Sequence, residues 1–159
     1  MTDWTTAQEG GCRCGALRFR LSGAPMLTSA CHCTGCQKMS GSAFSLTLTV
    51  PAQAFELLQG EPVIGGLHGP VAHHYHCDHC KSWVFTRAQG MDWFVNIRTT
   101  MLDTPDDQPP FLEAWASEKL PWAETRATRS YPGDPDWNDW EVLTQEYAGT
   151  QEQTSTTAG

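Results

Sequence analysis

The chain has 159 residues, 40% of them apolar, and a net charge of −8 from 18 acidic and 10 basic side chains. That length predicts one domain with a modest core, and scattered Lys and Arg without a run exclude nucleic-acid binding through phosphates and disfavour an anionic membrane surface. The sequence does not open on a basic stretch followed by an apolar run, and no apolar segment approaches the roughly 18 residues of a membrane-spanning helix, so the expectation is a cytoplasmic protein.

Residues 1–10 are polar and are expected to be flexible. Residues 16–21 (Ala-Leu-Arg-Phe-Arg-Leu) alternate apolar and charged side chains, the pattern of a half-buried strand. A turn at Ser22-Gly23-Ala24-Pro25 leads to a short strand over 26–30, and 34–41 reads as a turn or a single helical turn. Strict alternation over 44–50 marks the clearest strand, with others over 55–58, 71–76, 82–86, 93–98 and 111–116. After the breaker cluster Tyr131-Pro132-Gly133-Asp134-Pro135, the residues Trp137, Trp140, Leu143 and Tyr147 recur at helical spacing and predict a short C-terminal helix, capped by Asp134 or Asp136. The segment 149–159 is rich in Gln, Thr and Ser and is expected to be disordered, which leaves 11–148 as one domain. Many short strands with Gly and Pro turns make the fold mostly β.

The seven cysteines fall into three clusters: Cys12 and Cys14, then Cys31, Cys33 and Cys36, then Cys77 and Cys80. In a reducing compartment this density points to metal or catalysis rather than disulfides. The two pairs supply four thiolates, the number that closes a tetrahedral zinc site about 2.3 Å from each sulfur. Buried free thiols, an iron–sulfur cluster and rubredoxin-type iron satisfy the same spacing. The triplet supplies three thiolates and leaves a tetrahedral ion one position, for water, a substrate thiolate, or a closing ligand such as His32 or His79. The remaining histidines, His68, His73, His74 and His76, read as strand-surface or packing residues. No Ser-His-Asp arrangement, phosphate loop or dinucleotide fingerprint is apparent.

The segments Gly11-Cys12-Arg13-Cys14-Gly15-Ala16-Leu17-Arg18-Phe19, Cys31-His32-Cys33-Thr34-Gly35-Cys36-Gln37-Lys38, Gly41-Ser42-Ala43-Phe44 and Cys77-Asp78-His79-Cys80, in that order, resemble the glutathione-dependent formaldehyde-activating enzyme family, which also includes centromere protein V. The resemblance runs from Gly11 to about Trp122. It implies a zinc-containing β-tent fold of packed antiparallel sheets, a structural zinc on Cys12, Cys14, Cys77 and Cys80, and a second, catalytic zinc on Cys31, Cys33 and Cys36. It also implies condensation of glutathione with formaldehyde, a carbon–sulfur lyase reaction written in reverse. Two positions depart from the family pattern: Lys81 stands where Gly is common, and Glu113, in Pro110-Phe111-Leu112-Glu113, stands where His is usual.

A thiol co-substrate with two carboxylates calls for a cationic clamp, for which Arg18, Arg20, Lys38, Arg87 and Arg98 are the candidates. The alternatives to an enzyme are a non-catalytic zinc module that engages a partner, with Trp137 and Trp140 as its patch, and a thiol or metal sensor that switches on the triplet.

Overall fold

The computed structural model describes residues 2–67, 69–105 and 109–156. His68, part of the loop over 104–110, and residues 157–159 lie outside the described residues. Two sheets dominate. The smaller contains β1 (Gln8–Gly11), β2 (Arg18–Leu21) and β5 (Phe55–Gln59) in the order β1-β2-β5. The larger adds β3 (Leu27–Cys31), β4 (Ser45–Pro51), β6 (Pro62–Ile64), β7 (Ala72–Cys77), β8 (Trp83–Ala88), β9 (Phe94–Arg98), β10 (Leu112–Ala114) and β11 (Arg129–Ser130). Its order is β11-β10-β3-β4-β9-β8-β7-β6. The helices are α1 (Thr34–Ser40) and α2 (Trp137–Thr156).

Alternation decides which side of each strand is dry. Phe19 and Leu21 of β2 are fully buried while Arg18 and Arg20 stay outside. Phe19 and Leu21 face Leu48 and Val50 of β4, Val95 and Ile97 of β9, and Phe85 of β8 in one core cluster between the sheets. Phe55 joins it with its ring 5.7 Å from Phe19 and 4.9 Å from Phe85. Each fully buried side chain of this size contributes about 1.5–3 kcal/mol.

Pairing is antiparallel throughout the small sheet and from β3 to β6, but β10 runs parallel to both β3 and β11. A parallel pair needs a long connection. Here some 80 residues separate β3 from β10, and Leu112, Glu113 and Ala114 pair with Ser29, Ala30 and Cys31.

Two segments are more ordered than their composition implies. β1 already starts at Gln8, and Trp4 packs on the core cluster, so order begins within the first ten residues. Gly10 lies so close to Met101 and Leu102 that a Cβ there would sit 2.3 Å from the Met101 carbonyl oxygen. The helix α2 continues past Gly149 to Thr156. Leu143 and Tyr147 bury against Leu27, Phe111 and Leu112, with Trp140 beside them. Once these anchored turns are nucleated, further turns add at little cost.

Candidate functional site

Cys12 follows β1, and the turn that returns the chain into β2 brings Cys14 beside it: the Gly15 amide donates to the Cys12 carbonyl and the Cys12 amide to the Leu17 carbonyl, both at 3.0 Å. Cys77 ends β7 and Cys80 lies in the hairpin before β8, closed by the Lys81 amide on the Cys77 carbonyl. The four sulfurs lie within 4.8 Å of one another. Cys12 and Cys14 are 3.5 Å apart, and Cys14 and Cys77 are 3.7 Å apart. A tetrahedron of sulfurs about 2.3 Å from its centre has edges of about 3.8 Å, so the spacing fits a thiolate-bound ion.

Cys12 and Cys80 are drawn towards ionisation. The Cys80 thiol is drawn down to about 5, first by the Ser82 hydroxyl, 3.2 Å away. Cys14 accepts from the Ala16 amide, yet burial and its sulfur neighbours push it up to about 11. Thiols this close repel as thiolates, and a cation among them relieves the repulsion.

Lys81 takes φ +59°, the left-handed conformation for which glycine is suited. The left-handed region costs an L-residue about 1–2 kcal/mol, and the Lys81 ammonium pairs with Asp78 Oδ1 at 2.8 Å.

The triplet is built differently. Cys31 ends β3, Cys33 is the N-cap of α1 and Cys36 lies in its first turn. The Cys36 amide donates to Cys33 Sγ at 3.3 Å. The three sulfurs are also within 4.8 Å of one another, and each residue is half-buried. Cys36 is the most acidic of the three: the Cys31 thiol lowers its pKa most, burial opposes, and Ser45, Cys33 and the charge of Arg98 assist. Cys31 moves up in return. Neither His32 nor His79 joins either sulfur group.

His32 instead anchors the loop from beneath. It is fully buried and its Nε2 lies 3.2 Å from Glu113 Oε2. Glu113 also accepts from Lys119 Nζ at 2.9 Å, Thr125 Oγ1 at 2.8 Å and Ser130 Oγ at 2.9 Å. Glu118 accepts from both the amide and the hydroxyl of Thr34. The His32 amide donates to the Ala114 carbonyl, and Gln37 Nε2 donates to the His32 carbonyl at 2.7 Å. The segment 113–118 therefore fixes the backbone that carries the triplet. Glu113 does not line the cleft described below; it supports the loop from behind.

Burial alone would raise the Glu113 pKa, but the bonds from Lys119, Thr125 and Ser130 outweigh it and hold the carboxyl at about 2. An unfolded glutamate titrates near 4.5. Above that pH the carboxylate is ionised in both states and its stabilisation is complete; as pH falls from about 4.5 towards 2, the unfolded chain takes up the proton first and the stabilisation is lost. Urea unfolding at pH 5.5 and 3.5 should differ by on the order of 1–2 kcal/mol more in the native chain than in Glu113→Gln.

A cleft of about 1070 Å³ opens beside the triplet, lined by Cys31 and Cys36 at one end. Its floor is the face of the large sheet opposite the core. The register places Cys31 against Ser45, Thr47 against Arg98, and Thr49 against Asn96, and Thr49 Oγ1 donates to Asn96 Oδ1 at 2.8 Å. Asn96 in turn pairs with Thr86, and Thr86 with His74. Thr86 Oγ1 accepts from Trp83 Nε1 at 3.1 Å and bonds His74 Nδ1 at 2.9 Å. The helix α2 forms one wall with Trp137 and Trp140, and Trp93 and Phe94 face the cleft from the sheet.

Of the five candidate cations, Arg98 alone lines this cleft. Arg18 pairs with Asp103 and Glu9, and Arg20 with Glu9 and Glu56. Arg87 lies over the Phe55 ring, and Lys38 is exposed on α1. Trp140 helps dock α2, whereas Trp137 is 67% exposed at the cleft. The floor was not foreseen from the sequence. Its one signal is the run of hydroxyl residues Ser45, Thr47 and Thr49 on alternate positions of β4, a pattern that a solvent-facing strand shares.

The family model described as "Glutathione-dependent formaldehyde-activating enzyme" matches residues 7–118. The chain belongs to this family. A Halomonas elongata protein named "Putative glutathione-dependent formaldehyde-activating enzyme" is 30% identical over 144 residues, covering 80% of this chain and 88% of that protein. A crystal structure of a Rhodobacter sphaeroides protein shares the fold, with a TM-score of 0.51 at 16% identity over 62% of this chain and 91% of that one. The region that matches the glutathione-dependent formaldehyde-activating enzyme family contains both cysteine groups and Arg98, whereas α2 and its cleft wall lie beyond it. No helix among the described residues is long and apolar enough to cross a membrane.

Proposed function

We propose that the chain joins a thiol to a small aldehyde at the end of the cleft where Cys31, Cys33 and Cys36 converge. Glutathione and formaldehyde are the pair, S-(hydroxymethyl)glutathione is the product, and the reverse reaction is that of a carbon–sulfur lyase. The observation that carries this reading is three gathered sulfurs at the head of a cleft in a chain of this family. A volume of about 1070 Å³ leaves room for a tripeptide thiol and a one-carbon aldehyde together.

In this reading Cys12, Cys14, Cys77 and Cys80 hold a structural zinc, and Cys31, Cys33 and Cys36 hold a second one. The second ion, when bound, supplies a Lewis acid and a position that stabilises a substrate thiolate. The protein's own part is geometric and electrostatic. The 113–118 segment holds the triplet in place, and the sheet floor orients the substrates.

Metal analysis should return two zinc ions per chain. The metal-loaded protein should bind glutathione and accelerate formation of S-(hydroxymethyl)glutathione, followed by exchange NMR above the spontaneous rate. Two tightly held ions with neither glutathione binding nor acceleration would leave a zinc-stabilised binding module. Loss of metal under mild oxidant together with a change of oligomeric state would mark a sensor.

A further inference from the structure

We propose that Arg98 is a catalytic residue that donates hydrogen bonds to the oxygen which becomes negative when a thiolate adds to the aldehyde. The proposal rests on the thiol–aldehyde reading above.

Arg98 ends β9 opposite Thr47, one register step along the same face from the Ser45–Cys31 pair. It therefore shares the cleft floor with the reacting end. The residue is only 8% exposed, its Nε is fully buried without a partner, and it forms no ion pair with any carboxylate among the described residues. Its guanidinium lies 4.0 Å over the Trp83 ring, and Trp83 is itself held by its bond to Thr86. A buried, rigid donor with no protein acceptor is costly to fold and is the kind of group that an anionic ligand satisfies. Burial lowers the Arg98 pKa to about 10, against the pull of Cys36 and Cys31, so the group stays cationic at neutral pH.

Position separates two anionic ligands. The carboxylates of a tripeptide thiol lie several bonds from its sulfur. The register sets Arg98 opposite Thr47, the next residue after Ser45 on the cleft face of β4, and Ser45 pairs with Cys31, so Arg98 and the sulfurs Cys31 and Cys36 line the same end of the floor. Arg98 consequently meets the reacting atoms, and the distal carboxylates bind elsewhere.

The chemistry balances without a further reagent. The thiol gives its proton to solvent. Its sulfur pair forms the S–C bond, and the C=O π pair moves onto oxygen. That oxygen, held by Arg98, takes a proton from water to give the hemithioacetal. Arg98 keeps all its protons throughout at neutral pH. A preorganised donor favours the charge-shifted state over the reactants, because its dipole is already oriented when charge arrives.

The test compares the metal-loaded native chain with Arg98→Gln and Arg98→Lys. In Arg98→Gln, kcat for S-(hydroxymethyl)glutathione formation should fall roughly 100-fold, with metal content unchanged and the glutathione Kd within about threefold of native. Arg98→Lys restores charge without the planar fork and should recover only part of the rate. If Arg98→Gln does not fold, Arg98→Lys alone decides: a lower kcat at unchanged Kd supports the role, and native kcat overturns it. Full kcat in Arg98→Gln overturns it too, as does a loss that tracks metal content (a counter-charge to the sulfurs) or glutathione affinity (a carboxylate clamp). A native chain that gives no acceleration defeats the thiol–aldehyde reading instead, so the two failures are distinguishable.

Discussion

Replacing Cys77 with serine is expected to remove most of the chain's stability. Cys77 is 3% exposed and ends a strand of the large sheet, while its partners Cys12 and Cys14 belong to the turn between the first two strands of the small one. The sulfur group thus ties two sheets through residues more than 60 positions apart, with Cys14 and Cys77 in direct contact at 3.7 Å. Structural zinc binding is worth about 10–16 kcal/mol in small thiolate domains, and this free energy is folding free energy. A domain has only about 5–15 kcal/mol in hand. Serine is a poor zinc ligand, and its hydroxyl would sit in a buried place beside three thiolates. We expect a loss of about 4 kcal/mol or more, which lowers Tm by roughly 10 °C or more for a chain of this length. Metal analysis should show one ion fewer per chain. Circular dichroism melting within about 2 °C of native would show that the four sulfurs do not hold the two sheets.

Local patterns account for what was legible in the sequence. The strict alternation around β4 is a property of seven neighbouring residues, and it marked the strand to within a residue. Cysteine spacing is equally local: sulfurs two or three positions apart in a turn are close wherever the turn lies, and the structure brings each cluster together. The strands β6 and β11 have three and two residues, too few to show a period. The parallel β3–β10 pair joins segments some 80 positions apart, and nothing in either segment announces its partner. The cleft depends on that pairing and on the return of α2 across the sheet, so no local pattern in β4 or β9 assigns Ser45, Thr47 and Asn96 to its floor. Glu113 illustrates the same limit. Its residue type was noted as a departure from the family pattern, but only the three-dimensional arrangement gives it four donors and a place behind the triplet. Family resemblance conveyed the sulfur pattern and not these supports.

The second large effect is one of activity with little change in fold. Cys33 is half-buried, and as the N-cap of α1 its sulfur accepts the Cys36 amide. Serine is among the best N-cap residues, so Cys33→Ser keeps a side-chain acceptor for that amide while removing one sulfur of the triplet. The cap, the Glu113 and Glu118 supports and the four-sulfur group are all left in place. With the triplet empty in both chains, stability should therefore change by no more than about 1 kcal/mol. The triplet, however, drops to two sulfurs, too few to hold an ion in a three-thiolate site. We expect loss of the second metal, retention of the first, and a fall in the rate of S-(hydroxymethyl)glutathione formation of at least about 100-fold. The contrast with Cys77→Ser is the informative quantity, because both variants delete one sulfur from one cluster. If Cys33→Ser instead melts as low as Cys77→Ser, the triplet is part of the architecture and its proposed role in the reaction fails. If it keeps two metals and the native rate, the reacting end of the cleft lies elsewhere.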